Sequence, residues 1–161
     1  MTSGRATAAV LGLLMLASLP WPGKGQEAAE ARRTGEHRIP FIARDGAVYL
    51  RARVNGSRGI LLLDTGAVLT TFSLKLVPNQ ATCSGITINM AKGTVPACRL
   101  AVGLTLGESS VKEEHCSFRQ EAIVGDFNFG PANGVVGLDV LSRFKSVTLD
   151  FKNSVLILEE R

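Results

Sequence analysis

Histidine is scarce in this chain: His37 and His115 are the only two among 161 residues. His37 falls in a charged, Ala-rich stretch and His115 in a polar loop, so neither is well placed to activate a serine or cysteine nucleophile. Cysteine is limited to Cys83, Cys98 and Cys116, with no Cys-x-x-Cys spacing. The one His/Cys neighbour pair, His115-Cys116, would point to opposite faces of a strand. A metal site is therefore not expected, nor is any other cofactor. Tryptophan occurs once, at Trp21. The basic residues give a formal net charge of +4 but are scattered, and no basic stripe interleaves with aromatics. That argues against nucleic acid as a partner and for an ordinary solvated surface. Aspartate is also sparse: Asp45, Asp64, Asp126, Asp139 and Asp150 are all there are.

What the N-terminus does hold is Arg5, a largely apolar run from Ala6 to Leu19, and then Pro20, Pro22 and small residues. That order of basic, apolar and small residues is the pattern of a secretory signal peptide. The run is shorter than the roughly 20 apolar residues of a spanning helix, so a membrane association is expected only if the signal stays uncleaved. Gly23-Lys24-Gly25 offers the first cleavage zone and Ala29-Glu30-Ala31 the second. The reading assigns residues 1–25 to a signal peptide, 26–38 to a polar, disordered linker, and 39–160 to one folded domain. The protein is expected to be exported, either periplasmic or secreted. An oxidising compartment makes one disulfide expected and leaves one thiol over; which cysteines pair is open.

From Ile39 onward, short apolar segments alternate with Gly, Asn and Pro signals, which predicts an all-β domain. Ile39–Ala43 is a first short strand. Val48, Leu50, Ala52 and Val54 fall on one face of a second, and Asn55-Gly56 is a tight hairpin signal. Gly59–Asp64 returns from it. Ser73–Val77 reads as one helical turn stopped by Pro78. Thr87–Met90 and Thr94–Val102 flank a hairpin tip at Ala91-Lys92-Gly93. Leu104–Gly107 and Ser109–Val111 suggest another hairpin, Ala122–Val124 a further strand, and 125–134 a loop. Asp139 is predicted to cap a short helix through Phe144. Ser146–Asp150 and Ser154–Leu158 close the domain as a hairpin.

The most pointed segment is Ile60-Leu61-Leu62-Leu63-Asp64-Thr65-Gly66-Ala67. A buried strand ends in a carboxylate that is costly to ionise unless offset, and Gly66 permits a sharp turn and close backbone approach. A partner segment, Gly134-Val135-Val136-Gly137-Leu138-Asp139, follows about 70 residues later. Together these resemble the retropepsin-like aspartic proteases of the single-domain bacterial or cellular type. Their pattern is apolar-apolar-Asp-Thr-Gly-Ala, a flap hairpin, then apolar-apolar-Gly before a short helix. The resemblance implies a single-lobe closed β-barrel with one short helix near the C-terminus. It implies that Asp64 is the catalytic carboxylate, that Thr65 braces the opposite loop across a dimer axis, and that Gly66 is a backbone donor to the carboxylate. It puts Ala67, Val136 and the flap residues Ala91, Lys92 and Gly93 at the substrate. Val68 stands where many relatives carry Ser, Thr or Asp, and Leu138 where retroviral enzymes carry Arg.

Carboxylate-based peptide hydrolysis needs two carboxylates sharing one proton, one taking a proton from water and the other giving one to the carbonyl oxygen. Only Asp64 sits in an Asp-Thr-Gly context. The second carboxylate must then come from a second copy, placed by two-fold symmetry. The expectation is an exported homodimeric aspartic endopeptidase acting on peptides or proteins, with the terminal strand Ser154–Leu158 contributing to the interface. The alternative is a non-catalytic β-barrel module that keeps the fold and binds a peptide or ligand.

Overall fold

The computed structural model describes residues 35–77, 85–90, 93–108 and 114–161. Ten strands run through them: β1 Glu36–Arg44, β2 Ala47–Val54, β3 Ser57–Leu63, β4 Thr71–Ser73, β5 Ile86–Met90, β6 Gly93–Leu106, β7 Cys116–Gly125, β8 Gly134–Val136, β9 Ser146–Asp150 and β10 Val155–Glu159. A 3-10 turn covers Leu74–Leu76, and the helix α1 covers Leu138–Leu141. The strand order is β5-β6-β7-β4-β8-β3-β2-β1-β10-β9, with an added β6–β2 pairing. That added pairing closes six strands into a ring: β2, β3, β8, β4, β7, β6. The fold is therefore the all-β, closed-barrel type read from the sequence.

Two turns make the first meander. Asn55 and Gly56 both take positive φ, 48° and 85°, the type I′ geometry that matches strand twist. Asp45-Gly46 does the same between β1 and β2, at 52° and 76°. The alternation in β2 turns Leu50, Ala52 and Val54 fully inward. They meet Leu61 of β3, Leu104 and Leu106 of β6, and Phe72 of β4 in one core cluster. A smaller cluster of Ala97, Ile123 and Phe127 fills the β5–β6 end.

Long-range pairing redraws several boundaries. β1 starts at Glu36, inside the stretch read as linker, because Glu36, His37 and Arg38 pair with Glu159, Leu158 and Ile157. Past Pro40 the same strand passes to β2. β6 is one 14-residue strand rather than two separated at Gly103. Gly103 is held in line because its N–H donates to Asn55 Oδ1 and its carbonyl accepts from Asn55 N–H, both at 2.8 Å. Ala122–Val124 is only the end of β7, which pairs with β6 from Leu106 to Ala97. The hairpin proposed for Ser109–Val111 lies outside the described residues. β10 is flanked on both edges, by β1 and by β9. It has no open edge to give to an intersubunit sheet, contrary to the interface expected from its position at the chain end.

Cys98 is disulfide-bonded, while Cys116 is a free, buried thiol; Cys83 lies outside the described residues. Burial pushes the Cys116 thiol up to about 11, with Glu160 adding to the shift. The thiolate is the reactive form, so the native protein at neutral pH should leave Cys116 unmodified by a thiol-exchange reagent. The same reagent should label it promptly in denaturant. Rapid labelling of the folded protein would contradict the burial.

Candidate active site

β3 carries Leu61, Leu62 and Leu63 alongside Gly134, Val135 and Val136 of β8 in parallel register. The two strands end together, so the turns that follow them lie side by side. Asp64 is the first residue past β3 and is half-buried. Its N–H donates to Val136 O at 3.1 Å. Gly66 N–H donates to Asp64 Oδ1 at 2.8 Å, and Ala67 N–H to Asp64 O at 3.3 Å. One carboxylate oxygen is thus fixed by the turn and the other is left for external chemistry. Thr65 is exposed, and its hydroxyl has no partner among the described residues.

The next residues are clamped onto α1. Leu138 N–H donates to Ala67 O at 2.8 Å and Asp139 N–H to Val68 O at 3.2 Å. Gly137 is needed for this approach: a Cβ there would stand 2.7 Å from Ala67 O and 2.9 Å from the Leu69 carbonyl carbon. Asp139 is not the helix cap expected of it. Gly137 occupies that position with no side-chain cap bond. The Asp139 carboxylate instead accepts from Thr70 N–H (2.9 Å), Thr70 Oγ1–H (2.7 Å), Gln120 Nε2–H (2.9 Å) and Val140 N–H (2.9 Å). Partners from two other segments, with the adjacent Val140 N–H, outcompete the local cap because an ionised acceptor takes several charge-assisted bonds.

Thr70 is the residue that sequence reasoning passed over. It is fully buried, donates to Asp139, and accepts from Gly137 N–H at 3.1 Å. Its carbonyl accepts from Ile123 N–H at 3.0 Å. The visible signal was a hydroxyl in the run Ala67-Val68-Leu69-Thr70-Thr71-Phe72. Behind it, Arg143 donates to Gln120 Oε1 and lies 4.6 Å over the Phe118 ring, so Arg143, Gln120, Asp139 and Thr70 form one chain of bonds reaching the loop. Thr70→Val keeps the shape but strips Asp139 of a donor and Gly137 of its acceptor. It should cost about 1–3 kcal/mol, the penalty for a buried polar group left unpaired. Chemical denaturation of the variant against the parent would measure it, and an unchanged midpoint would show that the network carries no weight.

The other expected site residues are distributed unevenly. Val136 is fully buried in the core beneath the turn, so it supports Asp64 through its carbonyl and has no surface to offer a substrate. Ala67 is half-buried on the loop itself. Gly93 opens β6 with φ +124° and open space around it, opposite Met90 in the β5–β6 hairpin. Ala91 and Lys92 lie outside the described residues. A cleft of about 180 Å³ lies beyond Leu69, lined by Arg99, Gln120, Ala122, Ile123 and Asp139 among others, and Asp64 is not in its wall. Among the described residues no group of three or more His, Cys, Asp or Glu side chains could hold a metal ion.

No protein-family model and no curated protein sequence matches this chain. Solved structures do. A retropepsin-like aspartic protease from Rickettsia conorii superposes with a TM-score of 0.54 at 23% identity, over 79% of this chain and 92% of that one. EIAV protease, solved with the inhibitor HBY-793, superposes with a TM-score of 0.44 at 18% identity, over 63% and 90%. The fold is retropepsin-like.

Proposed function

We propose that the protein is an exported aspartic endopeptidase, active as a homodimer whose two Asp64 carboxylates share one proton. The observation that carries this reading is Asp64 itself. It is held at the mouth of paired β3 and β8 by Gly66 N–H and Val136 O, in a retropepsin-like ring. Asp139, the nearest other aspartate along these two loops, has its carboxylate turned to Thr70 and Gln120. A single chain therefore offers one working carboxylate, and a second copy supplies the other.

In this mechanism one Asp64 takes a proton from water as the water attacks the peptide carbonyl carbon. The other Asp64 gives its proton to the carbonyl oxygen. Collapse of the resulting diol breaks the C–N bond, and the amine leaves with a proton from the pair. Because the pair works with one proton, the active form exists only within a limited pH window and the rate should be bell-shaped. Thr65 reaches across the axis to the opposite loop, which gives its unpartnered hydroxyl a partner. The β5–β6 hairpin, which pairs Met90 with Gly93, covers the peptide, Ala91, Lys92 and Gly93 contact it, and Ala67 lines the floor. The Ala6–Leu19 stretch directs export.

The test is incubation with a peptide library at acid and neutral pH beside an Asp64→Ala control. Cleavage confined to the parent protein supports the reading. No cleavage by a protein that dimerises and binds peptide would favour the non-catalytic module.

A further inference from the structure

Three arginines converge on one carboxylate on the outer wall of the barrel. Leu50, Ala52 and Val54 point into the core, so Arg51 and Arg53 between them point out. Arg58 stands directly opposite Arg53 across the β2–β3 hairpin, on the same face. Glu108, just past β6, meets all three. Arg58 Nε lies 2.8 Å from its Oε1, Arg53 Nη2 3.9 Å from the same oxygen, and Arg51 Nη1 3.9 Å from Oε2. One carboxylate leaves two of the three positive charges unbalanced. Nor does it occupy their donors. Arg58 Nε is close to Glu108 Oε1 but off the line of a hydrogen bond, and the other two contacts are too long for one. Arg53 gives an N–H to Gly56 O at 3.5 Å. Arg51 and Arg58, 65% and 71% exposed along their side chains, make no hydrogen bond among the described residues.

The fold gains little from this arrangement. Like charges opposite each other on two strands destabilise a sheet, and ion pairs this exposed contribute little. The row continues onto β6 and β7, where Thr105 faces Arg53 and Ser117 faces Thr105. Their hydroxyls share a hydrogen bond of 2.8 Å, which takes one O–H and leaves the other. Gathered donors, surplus positive charge and no acceptor suit an oxyanion, and the guanidinium fork matches phosphate. A surplus of two charges matches a phosphate dianion better than a singly charged diester or carboxylate. Glu114 lines a cleft on the Arg51 side, with Pro40 and Gly107. An anion is therefore better received at the Arg53–Arg58 end, away from that second carboxylate.

We infer that Arg53 and Arg58, gathered by Glu108 and with Arg51 beside them, form a binding site for a phosphate dianion, free or as a monoester. A soluble phosphate compound and a phosphomonoester lipid headgroup share that chemistry. The site uses no residue of the Asp64 turn and does not depend on the peptidase reading.

The test is calorimetric titration of the protein with inorganic phosphate at mildly alkaline pH, at fixed ionic strength in chloride. The variants are Arg53→Gln, Arg58→Gln and Arg58→Lys, each checked for folding by thermal unfolding. Arg44→Gln is the control, because that exposed arginine already bonds Asp45. The expected result is a single class of sites, weakened about tenfold or more by either glutamine, the scale for losing a hydrogen bond to a charged group. Arg58→Lys should weaken it less, since it keeps the charge and loses the fork, and it carries the comparison if a glutamine variant fails to fold. Arg44→Gln and Asp64→Asn should bind like the parent. Cosedimentation with phosphatidylcholine vesicles, with and without phosphatidic acid, separates the sources. Capture only by the phosphatidic acid vesicles, lost in the glutamine variants, supports the site and assigns it to a lipid headgroup. Phosphate binding without capture supports it and assigns it to a soluble compound. Neither binding nor capture, binding weakened as much by Arg44→Gln as by Arg58→Gln, or capture that survives both glutamines would overturn the inference.

Discussion

Asp64→Asn is expected to abolish peptide cleavage and leave the fold untouched. The amide oxygen of Asn can still accept from Gly66 N–H, as Asp64 Oδ1 does at 2.8 Å, so the turn keeps its bond. What is lost is proton exchange with water. In the proposed pair the same residue serves as base in one copy and acid in the other, so both functions fail together. The rate should fall by about 10³-fold or more, within or beyond the usual 10²–10⁴ contribution of one general acid or base. The thermal midpoint should hardly move. Steady-state cleavage and thermal unfolding measured on one preparation would check both halves. Cleavage that survives in Asp64→Asn would place the chemistry elsewhere.

Gly137→Ala should be the most damaging small substitution near the site. The backbone there is extended, so Ala is tolerated conformationally. The damage is steric. The new methyl would sit 2.7 Å from Ala67 O and 2.9 Å from the Leu69 carbonyl carbon, and both are backbone atoms that cannot rotate away. The loop must retreat from α1, breaking the Leu138 N–H to Ala67 O bond and shifting Asp64. Overpacking of this kind costs about 1–3 kcal/mol, and the displaced carboxylate should cost activity beyond what stability explains. Gly103→Ala is the comparison, because the nearest atom to its Cβ would be 3.8 Å away. It should be mild in both stability and rate. Equal behaviour of the two variants would mean that the tight approach at Gly137 is not what positions the loop.

The contrast between Gly137 and Gly103 also shows what a sequence can and cannot disclose. Local signals were readable. The run Ile60–Leu63 before Asp64 declared a buried strand ending in a turn, and Asn55-Gly56 declared its hairpin. Contacts between distant segments were not. Gly103 looked like a strand break, yet Asn55, far away in sequence, bridges it on both sides. Glu36, His37 and Arg38 looked like linker because their partners, Ile157 to Glu159, are at the other end of the chain. Asp139 looked like a cap because Asp commonly caps helices. Its actual partners, Thr70 and Gln120, come from two other parts of the fold. Val136 was grouped with the substrate contacts because it adjoins the motif, but its register beside Leu63 buries it. The chemistry-bearing residue was legible because its signal is contiguous, while the residues that hold it in place are scattered over four segments.

The central claim is that one working site needs an Asp64 from each of two chains. Mixing the protein with rising proportions of its Asp64→Asn variant, at constant total concentration and after time for subunits to exchange, tests it directly. If both carboxylates are required, activity follows the square of the active fraction: equal amounts leave about a quarter of the rate, because only dimers with two intact copies work. A rate that falls in simple proportion to the active fraction would show that each chain works alone, and would contradict the shared site.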